Sequence, residues 1–200
     1  FLFYLDKSFR GRKMDLSTYF PLSTYYSYLK RFVLSPTTMG TIAPSSRWLC
    51  YEMLNKLNWQ QDIQIAELGA GTGVITQQIL KRMSSNSVLD VFEIEPAFAN
   101  ELNKINDPRL TIYTASAEKL DSHYNMIISG LPFLSINRRL GLKILKRVHS
   151  ELLKTQGCFV LFQYTTRYEK TLSRYFHLEK KRVMLNVPPA WVYYCTPKIK

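Results

Sequence analysis

Glu67-Leu68-Gly69-Ala70-Gly71-Thr72-Gly73 follows an apolar run that reads as a β-strand over residues 63–68, and it holds three of the chain's eight glycines. An acidic residue followed by glycine at every second position builds a tight strand-to-helix turn whose backbone a ligand can approach closely. A dinucleotide site calls for G-x-G-x-x-G, with the pyrophosphate at the N-terminus of the next helix. Here Gly73 comes two residues after Gly71, and Val74 stands where the third glycine would be. The E-x-G-x-G-x-G spacing therefore suits a ligand without pyrophosphate, of which S-adenosylmethionine is the commonest.

From this strand onward the pattern alternates. Strands are predicted over 63–68, 88–94, 109–114, 124–129 and 158–164. A final pair over 181–187 and 191–196 is joined by Pro188-Pro189-Ala190. Helices are predicted over 74–83, over 97–105 with Pro96 at the first turn, and over 137–154, a long basic amphipathic segment ended by Gly157. Strands alternating with helices give an α/β fold of Rossmann-like type. The expected sheet has seven mostly parallel strands, covered on both faces and closed by a C-terminal antiparallel hairpin.

Residues 1–36 have a different character. Leu22, Tyr25, Tyr26, Leu29, Phe32 and Val33 recur at helical spacing, and Lys7, Arg10, Arg12, Lys13, Lys30 and Arg31 outnumber Asp6 and Asp15. The expected organisation is an amphipathic, membrane-associating region over 1–36 and a catalytic domain over 37–200. A helix beginning near Ser45-Ser46 buries Leu49, Cys50, Met53, Leu54 and Leu57. Over the whole chain 27 Lys and Arg face 15 Asp and Glu, a net charge of +12, as expected of a partner for nucleic acid or an anionic membrane. No apolar run has bilayer-spanning length; the stretch 124–136 is broken by Asn125, Ser129, Gly130 and Pro132. Cys50, Cys158 and Cys195 are odd in number and scattered, which predicts buried free thiols in a reducing cytoplasm. No Cys/His grouping has metal-ligand spacing.

In an open α/β sheet the ligand lies beyond the carboxyl ends of the strands. Glu93 closes the second strand, where a carboxylate can bind both ribose hydroxyls, with Ile94 beside it. Glu67 either orients the glycine loop or meets the methionine ammonium. Ser116, Ala117 and Glu118 follow the third strand and are placed to meet the adenine. Ser129-Gly130-Leu131-Pro132-Phe133 follows the fourth, where the transferable methyl should point. Gly130 lets carbonyls approach the substrate, and Phe133 offers a ring to a cation. His123, His149 and His177 fall outside this edge. Methyl transfer from a sulfonium needs positioning more than a general base, and alignment alone can supply roughly 7–11 kcal/mol.

Several blocks together resemble the bacterial phospholipid N-methyltransferases, a class I S-adenosylmethionine-dependent family. They are Ile42-Ala43-Pro44-Ser45-Ser46-Arg47, the stretch Glu67 to Gly73, Glu93-Ile94-Glu95-Pro96, Ser129-Gly130-Leu131-Pro132-Phe133, residues 159–165 and Asn186-Val187-Pro188-Pro189-Ala190. The resemblance implies methylation of phosphatidylethanolamine toward phosphatidylcholine, by a protein peripherally held at the inner face of the cell membrane. It places Ser45, Ser46, Glu67, Gly69, Ala70, Gly71, Gly73, Glu93, Ile94, Ser116, Ala117 and Ser129 around the cofactor. The amine would lie by Ser129, Gly130, Leu131 and Phe133, with Tyr19, Tyr26 and Tyr164 as further aromatic candidates. The family usually has Gly-Asp-Ala after the third strand; here Ala115-Ser116-Ala117 leaves the adenine to Ser116 or Glu118. A monomer acting on anionic membrane lipid, without nucleic acid, is the expected state.

The alternative is an RNA adenine N6-dimethyltransferase. That class shares the glycine motif and the E-I-E strand end, and +12 suits phosphate. It usually carries an N-x-P-Y turn for the flipped base, whereas this chain has S-G-L-P-F without the asparagine.

Overall fold

The computed structural model describes residues 47–186 and 188–199. The helix read over 22–33, Tyr19, Tyr26, Ser45 and Ser46 lie outside them. In chain order the elements are α1 (Arg47–Leu54), β1 (Gln64–Leu68), α2 (Val74–Leu80), β2 (Val88–Phe92), α3 (Pro96–Leu102) and β3 (Leu110–Tyr113). A 3-10 turn (Ala117–Lys119) leads to β4 (Met126–Ser129), α4 (Arg138–Thr155), β5 (Cys158–Gln163), α5 (Glu169–Leu172), β6 (Phe176–Val183) and β7 (Ala190–Pro197). The sheet order is β3-β2-β1-β4-β5-β7-β6, with β7 antiparallel between β5 and β6 and the other pairings up to β5 parallel. This is the expected Rossmann-like arrangement, and its order reverses between β1 and β4.

Alternating side chains send each strand into two cores. Ile65, Val91, Ile128, Val160 and Val192 face α1, α2 and α3, where they pack on Leu49, Met53, Ile75, Ile79 and Leu102. Ala66, Leu68, Ile127, Phe159 and Leu161 face α4, α5 and the 3-10 turn, where they meet Leu145, Val148, Leu172 and Ala117. The strands are apolar because both faces are covered. Two polar devices fix the outer helices. The Arg109 guanidinium pairs with Asp107 at 2.7 Å and donates to the carbonyls of Leu80, Met83 and Ser84, closing the C-terminal end of α2. Buried Glu52 of α1 accepts from Tyr194 Oη of β7 and pairs with Lys181 of β6 at 2.8 Å.

One strand departs from its predicted bounds. The penultimate strand runs over Phe176–Val183, not 181–187. His177, Glu179, Lys180, Lys181 and Arg182 are exposed along it, so period-two alternation is missing and the segment reads as a charged loop. As the margin of the sheet it needs no apolar outer face, and its cations discourage further strand pairing. His177 therefore lies on a strand. His149 is buried in α4, its Nε2 against the Lys198 carbonyl at 3.1 Å.

Candidate active site

The carboxyl ends of β1, β2, β3 and β4 are linked by backbone hydrogen bonds that continue the sheet into its loops. Gly69 N–H donates to Phe92 O at 2.9 Å, Glu93 N–H to Tyr113 O at 3.0 Å, and Gly130 N–H to Leu68 O at 2.9 Å. The segments after the first, second and fourth strands are thereby drawn to one edge, at the switch in strand order, where open α/β sheets bind their ligands. Gly69, Gly71 and Gly73 all have positive φ, at 72°, 55° and 78°, a conformation that costs L side chains energy.

Close approach adds a second demand at two of these points. A Cβ on Gly69 would stand 2.6 Å from Leu131 Cδ2, and a Cβ on Gly130 would stand 2.7 Å from Gly69 O. The glycine loop and the turn after β4 touch through their backbones. Gln163, at the end of β5, donates to Leu131 O at 3.0 Å and holds that turn from the other side. This positioning residue has no assigned role in the sequence reading. Its signal there is a polar side chain closing an otherwise apolar strand.

Glu93 is 6% exposed. Its two oxygens accept from Gly71 N–H at 2.8 Å and Glu95 N–H at 2.9 Å. It thus ties the glycine loop to the start of α3, and each oxygen keeps a lone pair for a further donor. Ile94 beside it is 68% exposed, an apolar platform at the strand end. Glu67 is 1% exposed and accepts from Thr76 Oγ1 of α2 at 2.7 Å, while its other oxygen, Oε1, is buried without a hydrogen-bond partner. Burial, reinforced by the charge of Glu93, raises its pKa to about 7 against the Thr76 hydrogen bond. An orphaned carboxylate oxygen of this kind calls for a donor, and a cation fits best.

The remaining predicted residues are placed as follows. Ser116 caps the 3-10 turn, its Oγ accepting from Glu118 N–H at 3.4 Å, and Ala117 is buried beneath. Glu118 leans toward Lys143 of α4 at 3.8 Å. Ser129 is fully buried with Oγ accepting from Leu131 N–H at 3.1 Å. Phe133 is 3% exposed, stacked on Tyr168 at 5.2 Å and edge-on to Phe159, so its ring face is already taken by an aromatic neighbour. Burial raises the Tyr164 phenol, which keeps it protonated and unsuited to act as a base. Among the described residues no His/Cys/Asp/Glu group has the arrangement of a metal site.

These features suit an adenosyl ligand bearing an ammonium: a glycine cradle, a strand-end carboxylate with free lone pairs, an apolar platform and a buried orphan acceptor. A sequence model of the family described as ribosomal RNA adenine dimethylase matches residues 45–183. The chain belongs to this family. It is an enzyme, a class I methyltransferase whose cofactor is S-adenosyl-L-methionine. Among curated proteins, the ornithine lipid N-methyltransferase of Singulisphaera acidiphila is 28% identical over 187 residues, covering 87% of this methyltransferase and 96% of that relative. The solved structure of the N-methyltransferase NodS from Bradyrhizobium japonicum WM9, in complex with S-adenosyl-L-homocysteine, has a TM-score of 0.68 at 10% identity, covering 87% of this chain and 98% of that one. The precorrin-6y C5,15-methyltransferase of Geobacter metallireducens GS-15 has a TM-score of 0.63 at 18% identity, covering 78% and 93%. Both structures share the fold.

Proposed function

We propose that this methyltransferase alkylates the primary amine of a membrane-lipid head group, phosphatidylethanolamine or an amino-acid lipid such as ornithine lipid, at an anionic membrane surface. The observation that carries the reading is the turn at Gly130. Its one hydroxyl, on Ser129, is buried and engaged by Leu131 N–H, so the turn has no polar side chain to hold the edge of a flipped base. Leu131, Pro132 and Phe133 give it an apolar wall, which suits an amine that must be desolvated. The curated lipid N-methyltransferase relative also spans 87% of the chain, more than the family match over 45–183.

Bound S-adenosylmethionine supplies a methyl group activated on a sulfonium. Glu93 would take the ribose hydroxyls, Ile94 the adenine face, Ser116 or Glu118 the adenine amino group, and Glu67 the ammonium. Gly69 and Gly130, interlocked, keep the loop and the turn at fixed separation, so the nucleophile is aligned without a general base. A lysine-like amine has a pKa of about 10.4 in water; the apolar surroundings of the turn would lower that of the lipid amine by disfavouring the ammonium, so that its proton passes to water before attack. The basic region 1–36, outside the described residues, would hold the protein to anionic lipid, with Tyr19 and Tyr26 close to the amine.

RNA adenine dimethylation is the second reading, favoured by the family match and the +12 charge. Incubation with labelled cofactor, total bacterial lipid and ribosomal RNA separates the two. Label in an amine-bearing lipid is the expected result, and label in RNA alone overturns the proposal.

A further inference from the structure

Next to the Gly130 turn, on the α4 side of the sheet, lies a cavity of about 450 Å³ between the start of α4 and α5. Its lining joins the apolar Phe133, Leu134, Ile136 and Leu142 to four cations, Arg138, Arg167, Lys170 and Arg174. No carboxylate lines it. The acid of α5, Glu169, is engaged elsewhere, accepting from Tyr193 Oη at 2.9 Å and pairing with Lys180 at 2.6 Å. Arg138 and Arg139 open α4, whose first turn holds no acidic residue. Two cations at the positive end of a helix dipole are locally unfavourable. An anion in the cavity reverses that cost. Tyr168 lines the same space, and burial holds its phenol up at about 12, so it faces an anion as a protonated donor.

We infer that this cavity binds the anionic group of the lipid substrate, a phosphodiester or a carboxylate, with the adjoining acyl chain along Leu134, Ile136 and Leu142. Charge complementarity selects the anion and the apolar wall selects an amphiphile over a free ion. Phe133 belongs both to the turn proposed to receive the amine and to the cavity lining, so a head group with its amine at the turn would carry its anion toward these cations. The inference rests on the lipid reading above and specifies how such a head group is held.

The probe is decyl phosphate below its micellar concentration, measured by calorimetry against inorganic phosphate and decyl maltoside. Loss of three charge-assisted contacts predicts that R138Q/K170Q/R174Q binds decyl phosphate at least about tenfold more weakly than the native chain, with S-adenosylmethionine affinity unchanged. The same variant is expected to raise KM for an amino-lipid in mixed micelles while kcat holds. Equal binding by variant and native protein overturns the inference. So does inorganic phosphate binding as well as decyl phosphate, or a single-stranded RNA dodecamer displacing the probe at lower concentration than an anionic lipid. Should the triple variant not fold, a photoactivatable alkyl phosphate on the native protein decides the matter. Label on 133–142 and 167–174 supports the site, and label elsewhere removes it. Decyl phosphate binding in a protein that methylates only RNA would discard the lipid-substrate reading. An unchanged KM in a lipid-methylating variant would discard the cavity alone.

Discussion

Glu67 is enclosed by the sheet and α2, with one oxygen on Thr76 and the other unsatisfied. Its carboxyl is held at about 7 against an ordinary 4.5, chiefly by burial. The folded protein thus holds this proton more tightly than the unfolded chain. That contribution is complete below about pH 4.5, declines as pH rises toward 7, and is lost above it. The full shift corresponds to roughly 3 kcal/mol. Glu67→Gln should therefore flatten the fall in stability of the cofactor-free protein between these limits, read from denaturant midpoints at several pH values, and should weaken S-adenosylmethionine binding in calorimetry. A steep decline persisting in the variant would show that another group is responsible. At Gly130 the demand is steric: a methyl group would stand 2.7 Å from a backbone oxygen with no freedom to swing aside. Gly130→Ala should cost about 2 kcal/mol and reduce cofactor affinity as Gly69 is displaced. Unchanged thermal stability and affinity together would mean that the two loops separate easily.

Strand β6 shows why part of the chain was hard to read before its structure was known. It carries four charged residues in a row, Glu179 to Arg182, and loses the alternation that marks an inner strand, so its predicted start falls five residues late. The inner strands, largely apolar, lie within two residues of their predicted limits. The glycine loop and Glu93 were legible because backbone conformation and strand-end position leave marks in the sequence. Gln163 and Arg109 were not, since they act on carbonyls 25 to 32 positions away. Arg109 closes the end of α2 through three carbonyls and a bidentate pair with Asp107. Arg109→Ala leaves those carbonyls to water and should cost about 2 kcal/mol. For a chain of this length that lowers Tm by about 4–8 °C, with cofactor affinity retained. Scanning calorimetry showing no shift would make the staple ornamental.

The net charge of +12 is spread over α4, β6 and the N-terminal region. No helix among the described residues is long and apolar enough to cross a membrane. The proposed attachment is electrostatic and interfacial, at about 1 kcal/mol per cation near an anionic surface. Co-sedimentation with anionic vesicles should decline as ionic strength rises from roughly 0.05 M to roughly 0.5 M, where the Debye length shrinks severalfold. Neutral phosphatidylcholine vesicles should leave the protein in the supernatant. Salt-insensitive sedimentation would point instead to apolar insertion.

The contact between Gly69 and Gly130 also bears on how such an enzyme can be remodelled. A methyl group on Gly130 has no room unless the Gly69 carbonyl retreats, and one on Gly69 runs into the Leu131 side chain of the same turn. Anyone widening the acceptor end to admit a bulkier nucleophile must rebuild the donor end in the same stroke, and single-site libraries at either glycine should return almost nothing.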